Sequence, residues 1–265
     1  MRLNLLILSF IINNCCNAQQ NNQAYFIDTL TSLQKENLKG RVKMVNTVMQ
    51  KLTEVNGNLI KHTRQHSSSD YYNKAGFISR SIVDNTSYIF TYDDANRLVQ
   101  QKITGGGGIS KYTYNNLGQQ VYADHSKSKA HACQTTLISY NKDTMRAYII
   151  NKNGRQMLSK FVIANINNQT LTDTSYYMGK PVNTTTYTYK NGLCHTRQQQ
   201  SLSITFYYDS SSNIIKEERK PINSSTIFIG TYEYLFDKQG NWIMQTSYEN
   251  GKAVYVTERE ITYYN

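Results

Sequence analysis

The sequence predicts an all-β protein: an antiparallel meander of repeated β-hairpins in one long twisted sheet, curled into an open trough or partial barrel. Three observations carry that expectation. Aromatic and β-branched residues alternate with polar ones over short runs, the period of a half-buried strand. Asn, Asp and Gly clusters interrupt these runs at intervals of one strand length. The same Tyr-then-Asx pattern recurs at intervals of about 20 residues, the length of one two-strand hairpin.

The clearest copy is Thr231–Tyr264. Tyr232, Tyr234 and Phe236 alternate with Thr231, Glu233 and Leu235, so the three aromatics share one strand face. Asp237-Lys238-Gln239-Gly240-Asn241 breaks the run with turn-forming residues, and Trp242 resumes it. Pairing Phe236 with Trp242 across this loop puts Tyr234 opposite Met244 and Leu235 opposite Ile243. Asn250-Gly251 follows, the strongest short hairpin signal, because a type I′ turn needs positive φ twice. Glu249 and Lys252 then face each other across it.

In chain order, Leu3–Ile12 is an apolar run after Arg2, and Cys16-Asn17-Ala18 offers small residues for cleavage: residues 1–18 read as a signal peptide of an exported protein. The run is too short to span a bilayer, so no transmembrane segment is expected. Ile12-Asn13-Asn14 fits a lipid-attachment box poorly, leaving acylation at Cys15 or Cys16 as the alternative to a periplasmic, surface or secreted protein. Residues 19–40 form a leader, with a short helix in Thr29–Leu38 on the spacing of Leu30, Leu33 and Leu38. The hairpin repeats occupy 41–265. Arg41–Leu52 reads as a strand turned by Asn56-Gly57. Further copies are Tyr72-Asn73, Tyr92-Asp93, Tyr114-Asn115, Tyr140-Asn141, Tyr189-Lys190-Asn191-Gly192 and Tyr208-Asp209. At one strand per ~8–12 residues the domain holds about 14–18 strands. Pro181 and Pro221 fall at strand ends or edges.

These residues resemble the tyrosine-aspartate (YD) repeats related to Rhs repeats, whose mark is Tyr-x-Tyr-Asp-x-x-Gly-Asn-Leu. Phe236-Asp237-Lys238-Gln239-Gly240-Asn241-Trp242 is the nearest match. Leu38–Lys43 and the stretch Tyr248–Glu260 look like exported repeat proteins of Bacteroidetes-type bacteria. The resemblance covers about residues 38–264 and implies hairpins laid side by side, a sheet that in large family members coils around a cargo. This chain is too short for such a shell.

Gly105–Gly108 lacks the Gly-Lys-Ser/Thr of a phosphate loop and reads as a hairpin tip. His62 and His66 have zincin spacing but lie on a strand about 13 Å apart. His125, His131, Cys133, Cys194 and His195 match no zinc module; Cys133 and Cys194 either form a disulfide or remain two separate thiols. Glu217/Glu218 and Glu258/Glu260 could serve a glycosidase, but Arg259 and cross-strand lysines give the second pair a surface role. Asp93, Asp209 and Asp237 cap their own backbone turns. No Gly-x-Ser-x-Gly elbow occurs. Neither an enzyme nor a cofactor or metal is expected.

The formal charge is +11, with 29 Lys and Arg against 18 Asp and Glu, thinly spread. On an exported chain this suits polysaccharide or an acidic surface better than nucleic acid. With 22 Tyr against 8 Phe and one Trp, the aromatic faces suit partly covered strands. The expected function is a non-enzymatic binding or scaffold protein contacting carbohydrate or a protein partner, through Tyr232, Tyr234, Phe236, Trp242 and Tyr248. The alternatives are a peptide- or toxin-holding accessory of a secretion system that accepts an added strand, and a cell-surface polymer hydrolase.

Overall fold

The computed structural model of the chain describes residues 30–105, 107–126, 134–150, 153–165 and 167–265. The expected signal peptide over residues 1–18, with Cys15 and Cys16, and His131 and Cys133 lie outside the described residues. The described chain is all-β and antiparallel, with one four-residue helix, α1 (Ser32–Lys35), and 18 strands assigned to one sheet. The expected open trough is corrected. The first strand, β1 (Val42–Val55), pairs with the last, β18 (Lys252–Tyr263), from Val42↔Tyr263 to Lys51↔Tyr255, so the strand order closes. Free terminal edges would leave rows of unpaired N–H and C=O groups, and this pairing removes them.

Contacts divide the chain into two compact units. The middle unit spans Thr91–Ser203. Its strands are β5 (Leu98–Ile103), β6 (Ile109–Tyr114), β7 (Gln120–Ser126), β8 (Gln134–Asn141), β9 (Thr144–Ile150), β10 (Gln156–Asn165), β11 (Thr170–Tyr177), β12 (Lys180–Lys190) and β13 (Leu193–Gln198). Met145, Val162, Ala164, Leu171, Tyr187 and Tyr189 form its buried cluster. Inward-facing residues of successive strands meet there because opposed residues share a face, as in Val162↔Asp173↔Thr185. Lys160 and Asp173 form a buried ion pair of 2.8 Å beside that cluster. On β11 and β12, Thr172–Thr186 and Thr174–Thr184 make cross-strand hydroxyl contacts. Gly105, Gly107 and Gly108 fall between β5 and β6, as a hairpin tip should. Pro181 sits next to the start of β12 and Pro221 ends β15 (Ile214–Pro221), both at strand ends.

The terminal unit joins Thr31–Phe90 to Ile204–Asn265. It holds β1, β2 (Asn58–Tyr72), β3 (Ile78–Val83), β4 (Thr86–Tyr92, ending at the boundary), β14 (Leu202–Tyr208, starting there), β15, β16 (Phe228–Phe236), β17 (Trp242–Glu249) and β18. β1 runs three residues past the predicted Leu52.

Two turn chemistries punctuate both units. Asn56-Gly57, Asp84-Asn85, Met178-Gly179, Asn191-Gly192 and Asn250-Gly251 are pairs with positive φ at both positions, the type I′ signature. Five of the YD-like copies make a longer turn. In each, the Asx Oδ1 accepts the backbone N–H groups two and four residues on: Asn73 from Ala75 and Phe77, Asp93 from Ala95 and Arg97, Asn115 from Leu117 and Gln119, Asp209 from Ser211 and Asn213, Asp237 from Gln239 and Asn241. The residue three after the Asx has positive φ in every case: Gly76, Asn96, Gly118, Ser212 and Gly240. These turns follow β2, β4, β6, β14 and β16. Within either unit a meander sends all turns after even-numbered strands to the same end.

Candidate functional site

In the terminal unit, the segment Thr31–Gly40 lies across three of these Asx turns. Thr31 caps α1 by a capping box with Gln34. Leu33 N–H donates to Gly76 O at 3.1 Å, and the Ser32 hydroxyl accepts from Ile78 N–H at 2.9 Å. The Asn37 side chain donates to Ser211 O at 2.7 Å. Lys39 N–H donates to Asn241 Oδ1 at 2.7 Å, and Asn241 Nδ2 returns a bond to Lys39 O at 2.8 Å. Leu33 and Leu38 are buried with Val42, Val45 and Tyr72, against Ile78, Ile261 and Tyr263. The segment is thus held as a bound peptide is held, by backbone hydrogen bonds and two apolar anchors.

Asn241 is only 2% exposed and fully bonded; Nδ2 also reaches the Tyr263 hydroxyl, which in turn donates to Asp237 Oδ2. Burial alone would raise the Asp237 carboxyl. The Tyr263 hydroxyl and the N–H groups of Asn241, Gln239 and Gly240 together hold it below the usual range.

Beneath the segment is a charged and aromatic cluster. Register puts Asp70, Val45 and Ile261 on one face, and Arg259 two residues before Ile261 shares it. The Arg259 guanidinium lies 3.5 Å from the centroid of the Trp242 ring, a close cation–π contact. Its side chain is 15% exposed, and Nε and Nη1 have no hydrogen-bond partner among the described residues. Glu36 brings Oε2 to 4.0 Å from Arg259 Nη2 and accepts the Tyr72 hydroxyl on Oε1 at 3.0 Å. Burial pushes the Glu36 and Asp70 carboxyls up, against the pull of Arg259, and lowers Arg259 itself. The Tyr72 phenol is raised by burial and by both carboxylates.

The predicted aromatics divide. Tyr232, Tyr234, Phe236 and Trp242 lie on this face, with Tyr234 centred 6.0 Å from both Phe236 and Trp242. Tyr248 pairs with Thr231, points the other way and donates to Glu233. The predicted register is corrected by one residue. A bulge between Leu235 and Phe236 keeps Phe236 opposite Trp242 but puts Tyr234 opposite Gln245 and Leu235 opposite Met244. Most aromatic hydroxyls are engaged. Tyr234 donates to Ile214 O and accepts from Gln245; Tyr232 donates to Glu217, which also holds Arg219. The Tyr232 phenol is pushed up to about 12 by burial and by Glu217.

The acid pairs fall on opposite sides of their strands or outside a cleft. Glu217 is buried with Tyr232, whereas Glu218 pairs with Lys216 and Tyr207. Glu258 pairs with the cross-strand Lys61 at 2.7 Å, and Glu260 accepts from Asn46. His62 contacts Thr53, His66 contacts Asp84, and His125 contacts Ser110. Cys194 is half-buried and donates to Thr196 O; its proposed partner Cys133 lies outside the described residues. Among the described residues no group of three or more His, Cys, Asp or Glu could hold a metal.

Sequence reading missed Glu36, Asp70 and Tyr72, and its surface role for Arg259 beside Glu258 and Glu260 is corrected: the side chain is largely buried against Trp242 on the other face of the strand. For Arg259 a signal existed: strand alternation sets it on the face opposite Glu258 and Glu260. The others needed the fold.

No family model and no curated protein matches the chain. Among solved structures it is similar to a porin-like protein from Bacteroides uniformis at 15% identity and TM-score 0.47, over 84% of this chain and 99% of that one. A porin-like protein from Bacteroides vulgatus is 11% identical with TM-score 0.34, over 82% and 98%. The Photorhabdus luminescens Tc holotoxin pore is 14% identical with TM-score 0.31, over 88% of this chain and 13% of that one. No helix among the described residues is long and apolar enough to cross a membrane, which says nothing of strands.

Proposed function

We propose that this chain is an exported, non-enzymatic binding or scaffold protein built from YD-like hairpins, and that the terminal unit binds a peptide segment of a protein partner. The observation that carries this reading is the seating of Thr31–Gly40 on the Asx turns and on the Arg259–Trp242 face. The surface that holds a segment of the chain itself has the donors, acceptors and apolar sockets that a foreign segment requires. The carboxylates nearby are committed to Arg259, Tyr72 and Arg219 rather than facing each other across a cleft, which disfavours glycosidase chemistry. Lys61–Glu258 and Lys216–Glu218 are exposed ion pairs of a solvated surface.

A second reading is carbohydrate stacking, favoured by Phe236, which is 44% exposed beside Tyr234. The test is a glycan array run beside affinity capture from envelope extract, with direct titration of any captured protein. One protein partner and no glycan is the expected result. Glycan binding that disappears in Phe236→Ala selects the second reading. Release of reducing ends from cell-wall or capsular polymer by the purified chain would overturn the non-enzymatic assignment.

A further inference from the structure

The hairpin of β1 and β2 outruns its neighbours. β1 pairs with β18 only through Lys51, and β2 pairs with β3 only from Ser68. Beyond those points the two strands pair with each other alone, from Leu52↔Lys61 to Val55↔Asn58 at the turn. The outward side of Leu59–His66 has no strand partner among the described residues, and Leu59–Gln65 are all exposed. Asp84 closes the row at one end by bonding Ser67, through its N–H to Ser67 O and its Oδ1 from Ser67 N–H.

The row itself is basic: Lys61 and Arg64 lie on it, with no acid between Leu59 and His66. Glu258 already holds Lys61 at 2.7 Å and Asp84 holds His66 at the end of the row, so Arg64 is the cation of the row with no ion pair among the described residues. A second copy added antiparallel about the middle of Leu59–His66 would set Lys61 of one chain opposite Arg64 of the other, a like-charge pair that opposes self-association. An acidic strand meets the opposite situation: its Glu or Asp finds Arg64, and the backbone finds a row of donors and acceptors with no strand partner among the described residues. Leu59 at 50% and Ile60 at 46% exposure supply apolar contacts on both faces.

We propose that Leu59–His66 is a strand-addition site for an extended acidic segment of a protein partner. It deepens the reading of the chain as a peptide-binding protein, and rests on it, but uses a different surface from the one holding Thr31–Gly40.

The experiment titrates the full chain into a fluorescein-labelled peptide of nine residues alternating Val and Glu, read by anisotropy. A second peptide carries N-methyl groups on alternate residues; its charge is unchanged but one edge has lost its donors. The expected result is saturable binding of the first peptide, weakened at least tenfold by N-methylation and at least tenfold in Arg64→Glu, with thermal melting of that variant unchanged. Equal binding of both peptides means charge attraction alone and overturns the proposal, as does failure of the first peptide to bind, or dimers of the chain that Arg64→Glu dissolves. A captured partner that binds undiminished to Arg64→Glu removes this site while leaving the broader function standing.

Discussion

The two units solve the same problem with different materials. The middle unit builds its buried cluster wholly from its own strands, β9 to β12. The terminal unit takes two of its five buried cluster residues, Leu33 and Leu38, from a segment outside the sheet. A Tyr- and Thr-rich sheet has too few aliphatic side chains to cover itself everywhere. One unit concentrates Val, Leu, Ala and Met on adjacent strands; the other borrows two leucines and a carboxylate. The terminal unit therefore has a removable component that the described residues of the middle unit do not show.

The largest expected effect breaks that asymmetry. Replacing both Leu33 and Leu38 by Ala should cost about 2–5 kcal/mol at each position, since each truncation leaves a cavity under a well-covered surface. Hydrogen exchange should rise in β1, β2 and β18 and stay unchanged in β10–β12. Loss of protection in both units together would mean that the segment does not belong to the terminal unit alone.

The converse test strikes the middle unit. Asp173 is 5% exposed and is the ion-pair partner of Lys160, so Asp173→Ala strands a buried ammonium and should cost about 3–5 kcal/mol. Lys160→Met with Asp173→Leu should recover most of it, because an apolar pair of similar volume avoids the desolvation of both charges. Denaturant midpoints of the single and double variants decide the point.

Turn chemistry gives a finer contrast. Asp237→Ala removes the acceptor of two backbone N–H groups and the partner of Tyr263, and should cost about 1.5–3 kcal/mol. Gly251→Ala, at φ +82 with open space where its Cβ would go, should cost only the backbone strain of about 1 kcal/mol. Equal losses would mean that the Asp237 network adds nothing beyond turn geometry.

Much of this was legible in the residues. Asp237 with Gly240, and Asn250 with Gly251, announce their turns by local chemistry, and Glu249 does face Lys252. What stayed hidden was non-local or depended on one inserted residue. The β1–β18 pairing joins strands some 200 residues apart along the chain, and neither alternation pattern names its partner. The bulge before Phe236 leaves the composition of β16 unchanged yet moves Tyr234 from Met244 to Gln245. Glu36 reads as one more polar residue of a leader until Leu33 and Leu38 anchor it beside Tyr72. The face assignment of Arg259 was available from alternation; its contact with Trp242 depended on the β17–β18 register.

The smallest effect concerns pH and returns to the borrowed segment. Burial raises the Glu36 carboxyl above its unfolded value, with Arg259 opposing. The folded state then binds more protons than the unfolded one between the two values. Stability from this group is fully present below the ordinary glutamate range and is lost as pH rises through the raised folded value. Asp70 is raised too, by burial first, and adds in the same direction. Glu36→Gln removes one titration, so its stability relative to wild type should improve as pH rises from 4 toward neutrality, and the slope for segment release should flatten. Exchange rates of the Leu33 and Lys39 amides, measured across that range, report the release directly. A variant whose slope matches wild type would assign the pH dependence to Asp70 instead of the residue that the segment carries.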